Sequence, residues 1–530
     1  MELVYLWVED YKNIEKQGFN FSPRFKCEFK VEYEIGEDGK EKLKDNCELI
    51  IEPKEHLKSF FDEEDKININ AIIGKNGSGK TSLLTLLIGS IFYNKDNYRN
   101  IKNLIMVYNT DNEFNVYTFS FYKKKQKYLE LNVTSKKTIR VSNLYENIET
   151  KQFHNDFKNN YFIFMDFSIS QIDLWNNNKK EEYKKSYALE PSRNYLSSGP
   201  GAVSKIEPTS FDANLKANIL YLYKYLNKDE IEKLTLPVFN KLIFKGIRGM
   251  GESTMTYYEQ DVIGKTILGL DFTSCKNYID IRNKINECQE RAINFNSINT
   301  NQLNDISALL TFLDIDYLTE EGQRFQSLST GQKQLISYYG IIIRTIEQHL
   351  SNDKTLTIII DEIETSLHPQ WQKEFLYLLL NLLQVVKQKC RNFQIILAGH
   401  SPFIVSDLPK ERIIFLENSK QVNGTEKKQT FGANIHTLLS DSFFIEGGLI
   451  GAFAKEKIDK AIQYLNQPNL LEKEIIYCEN IISIIGEPII KKQLQRMLDS
   501  KRLSKIDKID KLEEELELIK HRIEMIRKNQ

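Results

Sequence analysis

The chain has 530 residues, a formal net charge of −1, 41% hydrophobic residues and 11% aromatic residues. This composition excludes an intrinsically disordered chain, leaves room for more than one folded domain, and means that nucleic-acid contact would need a local basic patch. The sequence has no long apolar run, no export signal at its start and no C-x-x-C pair among its six cysteines, so we expect a cytoplasmic protein without membrane contact.

Strand patterns dominate the first part of the chain. They cover residues 3–8 and 25–33 and predict a β-rich lobe. Further along, alternating runs at 114–122 and 128–133 enclose a basic segment at 123–127, which we therefore predict at the tip of a β-hairpin. Such a tip is usually a solvated turn, and contact with nucleic acid is the alternative.

A glycine-rich segment follows the buried strand pattern at 67–73 and precedes an apolar helix pattern at 82–91. The segment 74–81 reads GKNGSGKT and fits the phosphate-binding loop G-x-x-x-x-G-K-[ST]. In such a loop Lys80 reaches the β and γ phosphates of ATP and the Thr81 hydroxyl holds Mg²⁺. The alternative, a turn that matches by chance, does not explain the flanking strand and helix. We assign nucleotide binding to Gly74, Asn76, Gly77, Ser78, Gly79, Lys80, Thr81 and Ser82.

The interval from Lys80 to Ser329 is longer than a single nucleotide-binding head requires. It contains a polar stretch at 176–185, a Gly/Pro/Ser-rich stretch at 197–208 and helical patterns at 215–226. We predict an inserted, mainly helical subdomain at 168–304. No sustained heptad pattern fills it, so long coiled-coil rods are not expected.

Leu-Ser-Thr-Gly-Gln at 328–332 precedes another helix pattern. Backbone N–H groups at a helix start bind anions, so Ser329, Gly331 and Gln332 predict a second phosphate-binding position.

Two further strand patterns end in polar side chains. The apolar run at 357–360 leads into Asp361 and Glu362, and the run at 395–397 is followed by His400. Parallel strands present such residues at their carboxyl edge, where ligands bind. We therefore predict that Asp361 binds Mg²⁺, Glu362 polarises the attacking water and His400 hydrogen bonds to the γ-phosphate. The alternatives are a solvated helix start for the two acids and a structural role for the histidine.

In this order the four segments resemble the head of an ABC-type ATPase. The resemblance implies an α/β fold, in which helices flank a mixed sheet, and a homodimer or higher homo-oligomer that clamps ATP between heads. Ser329 and Gly331 would then complete the site of a second subunit. Thr330 stands where transporters usually have glycine, which leaves the closeness of that contact open. We assign the family's glutamine, a further metal ligand, to Gln171.

Three segments resemble a particular branch of the family. Residues 361–372, DEIETSLHPQWQ, resemble RecF-like and defence-associated ATPases. Residues 399–409, GHSPFIVSDLP, and 430–444, TFGANIHTLLSDSFF, resemble the PtuA family of Septu anti-phage systems, which also occurs with retrons. The resemblance implies assembly with an HNH nuclease (PtuB-like) and, in retrons, with a reverse transcriptase and its msDNA. We see no nuclease centre in this chain, so the resemblance predicts a regulator of a separately encoded nuclease.

The resulting domain prediction is an N-terminal head lobe at 1–167, the insertion at 168–304, a C-terminal head lobe at 305–420 and a helical region at 421–530. Near the end, Leu512, Leu516, Ile519, Ile523 and Ile526 form an a/d stripe of two heptads. A docking or dimerisation helix and a helix packed on its own domain are both compatible with it. Three functions stay open: a switch driven by hydrolysis, a nucleotide-gated scaffold and a stand-alone RecF-like repair ATPase.

Overall fold

The computed structural model of the chain has two compact units, Met1–Phe444 and Ile445–Gln530. It describes residues 2–36, 39, 41–44, 47–92, 103–110, 113–120, 125–132, 137–141, 160–166, 208–247, 262–267, 270–287, 291–294, 313–349, 355–365, 367–390, 392–422, 429–441 and 449–528. Gln171 and the two predicted low-complexity stretches up to residue 207 lie outside the described residues.

The secondary-structure elements are numbered in chain order. The strands are β1 Glu2–Tyr11, β2 Ile14–Asn20, β3 Phe25–Lys30, β4 Tyr33–Ile35, β5 Glu41–Leu43, β6 Cys47–Pro53, β7 Ile67–Gly74, β8 Asn103–Thr110, β9 Glu113–Ser120, β10 Lys125–Asn132, β11 Lys137–Val141, β12 Asn160–Asp166, β13 Phe239–Ile247, β14 Thr266–Ile267, β15 Leu270–Asp271, β16 Ala292–Asn294, β17 Leu313–Thr319, β18 Thr355–Asp361, β19 Asn392–Gly399, β20 Ile413–Glu417 and β21 Lys420–Gln421. The helices are α1 Lys80–Phe92, α2 Pro208–Tyr225, α3 Lys228–Lys233, α4 Tyr278–Asn286, α5 Thr330–His349, α6 Pro369–Val386, α7 Pro402–Ser406, α8 Ile435–Asp441, α9 Ala452–Asn466, α10 Glu472–Ile484 and α11 Pro488–Lys528.

A six-stranded sheet carries the predicted motifs. Its order is β12-β18-β19-β7-β20-β21, and its strands are parallel except β21, which pairs antiparallel with β20. The register places Gly399 opposite Ile73, and Asp361 opposite Asp166. Because parallel strands end at the same edge, the residues that follow β7, β18 and β19 share that edge. The predicted α/β fold with a mixed sheet and flanking helices is confirmed.

Both faces of this sheet are buried, as continuous apolar strands require. Successive side chains point to opposite faces, so Ile69 and Ile395 pack into a core with α2, α5 and α6, whereas Ile72 and Ile396 face α1 and β1. A third core lies between the antiparallel sheets β10-β9-β8-β1-β2 and β11-β6-β3. The head is therefore layered, with the phosphate loop and α1 between two sheets.

The predicted hairpin around the basic segment is formed by β9 and β10. Ser120 lies opposite Lys125, so Lys125 and Lys127 belong to strand β10. The prediction that these two residues lie in the turn was wrong. Residues 121–124 lie outside the described part. Strand β10 begins before the alternating pattern at 128–133, because the backbone pairing with β9 continues through polar residues.

The described part of the predicted insertion contains strands as well as helices. Helices α2, α3 and α4 accompany a three-stranded antiparallel sheet of order β16-β13-β17. Sequence patterns predicted helices there and missed β13. Its partner β17 lies about seventy residues further on, and pairing over such a distance leaves no local signal.

The second unit is built from α9, α10 and α11. Its core contains Ala461, Leu465, Cys478, Ile482, Leu494 and Leu498. Among the described residues, no helix in either unit is both long enough and apolar enough to cross a bilayer.

Candidate nucleotide site

The phosphate loop runs between the end of β7 at Gly74 and the start of α1 at Lys80. Gly77 and Gly79 have φ angles of 77° and 98°, a left-handed conformation that favours glycine. A Cβ atom on Gly74 would overlap with the Leu416 carbonyl oxygen and with the Ser78 hydroxyl. The glycines thus permit a tight turn whose N–H groups surround the positive end of α1, an arrangement that binds phosphate.

Two other turns press against this loop. The Asn13 amide, in the turn between β1 and β2, donates to the Gly77 carbonyl oxygen at 3.4 Å. Ser419 lies between β20 and β21. A Cβ atom added to Gly79 would lie only 3.1 Å from the Ser419 hydroxyl oxygen. Neither residue belongs to a motif that predicts nucleotide binding. The turn residues between short strand patterns were visible, but their contact with the loop depends on the tertiary fold.

Lys80 and His400 meet although 320 positions separate them. The Lys80 ammonium donates to the carbonyl oxygens of Gly74 at 3.0 Å and Lys75 at 3.3 Å, and lies 2.7 Å from His400 Nε2. Burial, and then the charge of Lys80, lower the pKa of His400 to about 4. The imidazole is therefore neutral at pH 7, so its Nε2 can accept a hydrogen bond from the Lys80 ammonium. Burial also lowers the pKa of Lys80, and Glu362, Asp361 and Glu364 oppose that effect.

Thr81 and Asp361 form a second long-range contact. The Thr81 hydroxyl donates to Asp361 Oδ2 at 3.1 Å, and Asp361 is completely buried. A hydroxyl and a carboxylate oxygen at a phosphate loop are ligands that suit Mg²⁺. The structure therefore brings together the two described side chains for which sequence predicted metal contact, and Gln171 lies outside the described residues.

Glu362 has an unusual backbone at the end of β18. Its φ angle is 54°, in a region that non-glycine residues rarely occupy, and its N–H donates to Asp361 Oδ1 at 3.1 Å. Its carboxylate has the largest charge effect on the pKa of Lys80. Such strain is typical of functional positions.

Glu364 was not predicted from sequence and lies directly behind His400. Its Oε1 accepts the backbone N–H of His400, and its buried Oε2 has no hydrogen-bond partner among the residues that the structure describes. Burial, with a contribution from Glu362, raises the pKa of Glu364 to about 7. An acidic residue three positions after an aspartate at a strand end is common. Only the contact with His400 therefore distinguishes Glu364.

Replacing Glu364 with glutamine should change the pH dependence of stability. In the folded chain the pKa of Glu364 is about 7, which exceeds its ordinary value of 4.5. The contribution of Glu364 to the free energy of unfolding is therefore fully present below pH 4.5 and is lost as pH rises through 7. Glutamine does not titrate, and we expect the variant to be more stable than the wild type at pH 8, by at most about 3 kcal/mol. Denaturant unfolding at pH 5 and pH 8 measures the difference.

The exposed Glu320 provides the matched control, since glutamine there should change stability equally little at both pH values. Equal effects of Glu364→Gln at pH 5 and pH 8 would contradict a raised pKa.

The segment after Glu364 forms a rigid support. His368 caps α6, because its Nδ1 accepts the N–H of Gln370, and Pro369 occupies the first turn. Gln372 donates to the carbonyl oxygens of Glu364 and Leu367 and accepts the hydroxyl of Ser401 at 3.1 Å. The pattern D-E-x-E-x-x-L-H-P-x-W-Q thus fixes Glu364 and the residues around His400 in one hydrogen-bonded unit.

The predicted second phosphate-binding position begins α5. The exposed Ser329 donates its N–H and hydroxyl to Gln332 Oε1 at 3.0 and 3.2 Å, and Gln332 N–H donates back at 3.2 Å. These are the reciprocal bonds of a capping box, and Gly331 is buried behind them. In the described part of the chain Ser329 and Gln332 therefore bond to each other and not to the phosphate loop.

Comparison with known proteins gives matches over most of the chain. A family model described as an AAA ATPase domain matches residues 42–405. Septu protein PtuA of Bacillus thuringiensis is 33% identical over 111 residues, which are 19% of this chain and 26% of that protein. The Retron Ec83 probable ATPase of Escherichia coli is 24% identical over 28% of this chain and 30% of that protein. The matched segments thus span less than a third of these two relatives.

A longer match covers the Retron Vc95 probable ATPase of Vibrio cholerae serotype O1 biovar El Tor. It is 23% identical in an alignment of 395 residues that covers 68% of this chain and 71% of that protein. Among solved structures, the recombination mediator protein RecF is 13% identical with a TM-score of 0.30, over 79% of this chain and 97% of that one. CbiO1 of Clostridium perfringens is 11% identical with a TM-score of 0.23, over 77% and 88%.

Proposed function

Since this ATPase belongs to the AAA ATPase domain family, we propose that its cycle of ATP binding and hydrolysis controls a separately encoded nuclease of a defence system. One observation supports the ATP site above all others. Lys80 lies 2.7 Å from His400 and Thr81 lies 3.1 Å from Asp361, so two remote segments converge on the phosphate loop.

In this proposal each group has a defined task. The loop N–H groups and Lys80 bind the β and γ phosphates, and Thr81 and Asp361 hold Mg²⁺, which would neutralise phosphate charge when bound. Glu362 orients the attacking water, and neutral His400 donates a hydrogen bond to an oxygen of the γ-phosphate. Ser329, with Gly331 behind it, closes the site of a second copy, because the exposed Ser329 at the start of α5 suits an anion from another molecule.

The likeness to a Septu protein and to two retron ATPases supports a place in a defence system. The two segments that carry the PtuA-like pattern also contact each other. The Ser406 hydroxyl donates to the Ala433 carbonyl oxygen at 2.9 Å, and both residues line a cavity of about 460 Å³. Phe431, which belongs to the segment 430–444, is 58% exposed. We propose this surface for an HNH nuclease, with a reverse transcriptase and msDNA as further components in a retron.

Reconstitution with the HNH protein of an adjacent reading frame tests the proposal. We expect the two proteins to copurify, and nucleic-acid cleavage to differ between ATP and nucleotide-free conditions. Lys80→Ala should abolish that difference. Phe431→Ser should weaken copurification and leave ATP hydrolysis unchanged, whereas Ile35→Ser, which changes a residue that is 80% exposed elsewhere, should have no effect.

Failure to copurify, or cleavage that does not depend on nucleotide, would contradict nuclease control. Tight binding of DNA ends or gaps by the isolated chain would instead support the RecF-like alternative.

A further inference from the structure

The second half of α11 carries an apolar stripe without a partner. Residues in the first half, such as Leu494 and Leu498, are 2% and 1% exposed in the core of the second unit. The stripe then continues far beyond that core. Its described side chains are Ile509, Leu512, Leu516, Ile519 and Ile523, with exposed fractions of 46%, 63%, 53%, 56% and 46%.

The stripe follows a heptad pattern in which Ile509, Leu516 and Ile523 occupy a positions. Leu512 and Ile519 occupy d positions, and Ile526 extends the d series in the sequence. Leu518 and Met525 are also exposed but lie at c positions, outside this seam. A helix that exposes every described a and d residue over the fifteen positions 509–523 leaves a continuous apolar strip, which water does not favour.

Charges beside the seam change sign along the helix. Glu513 and Glu515 occupy the e and g positions near its beginning, and Lys520 and Arg522 occupy the next e and g positions. Lys520 bonds within the helix to Glu517 at 3.0 Å, an exposed pair that contributes little stability. The seam is therefore acidic on one half and basic on the other.

We propose that residues 509–526 form an antiparallel coiled coil with the same segment of a second copy of this chain. Each a residue would lie beside a d residue of the second copy, with Leu516 beside Ile519 at the centre. The acidic half of each helix would then lie along the basic half of the other. This register pairs Glu513 with Lys520 and Glu515 with Arg522, each twice by symmetry.

The parallel alternative fits the charges less well. A parallel dimer places each g residue beside the following e residue, so within residues 509–526 only Glu515 and Lys520 would meet, twice by symmetry. The antiparallel register has four opposite-charge pairs and no pair of like charges. The interface needs no nucleotide, so it is independent of contact between the ATPase heads.

Charge reversal in the full chain tests this register. The protein is kept nucleotide-free in EDTA, so that head contacts do not contribute, and its mass is measured by light scattering. We expect the wild type at twice the 62.1 kDa of the chain. K520E/R522E and E513K/E515K should each run at the single-chain mass, because like charges then face each other. An equimolar mixture of the two variants should restore the double mass, because every pair becomes attractive again.

A matched control separates the seam from net charge. E514K/E524K makes the same charge change as E513K/E515K at f and b positions, and we expect it to stay dimeric. A wild type at the single-chain mass in EDTA would overturn the proposal. So would equal dissociation by the control and seam variants, or a mixture that stays at the single-chain mass.

Discussion

Replacing Glu362 with glutamine is expected to reduce ATP hydrolysis at least about 100-fold while ATP continues to bind. The carboxylate follows Asp361 and raises the pKa of Lys80, and in the proposed mechanism it accepts a proton from the attacking water. Glutamine keeps the size of the side chain but cannot accept that proton. Measurement of phosphate release beside equilibrium ATP binding separates chemistry from affinity.

The same variant distinguishes a hydrolysis-driven switch from a nucleotide-gated scaffold. If hydrolysis resets the complex, Glu362→Gln should accumulate ATP-bound dimers and lose defence activity. Undiminished defence activity in this variant would support the scaffold. Glu320→Gln, which changes an exposed acid outside the site, controls for the loss of one charge.

The elements of the site that were predictable from sequence are local. Each of β7, β18 and β19 is a short apolar run followed by polar residues, and the rule that parallel strands share a carboxyl edge was enough to group Lys80, Asp361 and His400. The roles of these residues stay predictions until activity is measured. To predict that they converge, it was enough to identify the strands and their order along the chain.

The supporting contacts were not predictable because they join residues without a shared local pattern. Glu364 contacts the N–H of His400 across 36 positions, and Asn13 contacts Gly77 across 64. Glutamate and asparagine at such positions are ordinary surface residues in sequence. The same limit applies to β13, whose pairing with β17 only tertiary structure defines.

Replacing Gly399 with alanine is expected to reduce ATP hydrolysis by at least about tenfold and to destabilise the head by about 1–3 kcal/mol. Gly399 ends β19 immediately before His400, and a methyl group there would overlap with Glu364 Oε2. The carboxylate would have to move away and release the His400 N–H. His400 would then lose the hydrogen bond that fixes it beside Lys80. Steady-state hydrolysis and denaturant unfolding measure the two effects.

Removing the Glu364 side chain tests whether overlap with Glu364 causes the effects of Gly399→Ala. Glu364→Ala alone leaves the His400 N–H without its acceptor, but it also makes room for a methyl group on Gly399. We therefore expect Gly399→Ala to cost much less stability in the Glu364→Ala background than in the wild type, a non-additive result typical of residues in contact. Gly486→Ala, at a glycine with no atom within 4 Å of the added methyl, should change neither hydrolysis nor head stability. If the stability costs of Gly399→Ala and Glu364→Ala simply add, then overlap of the methyl group with Glu364 is not the cause of the effect on His400.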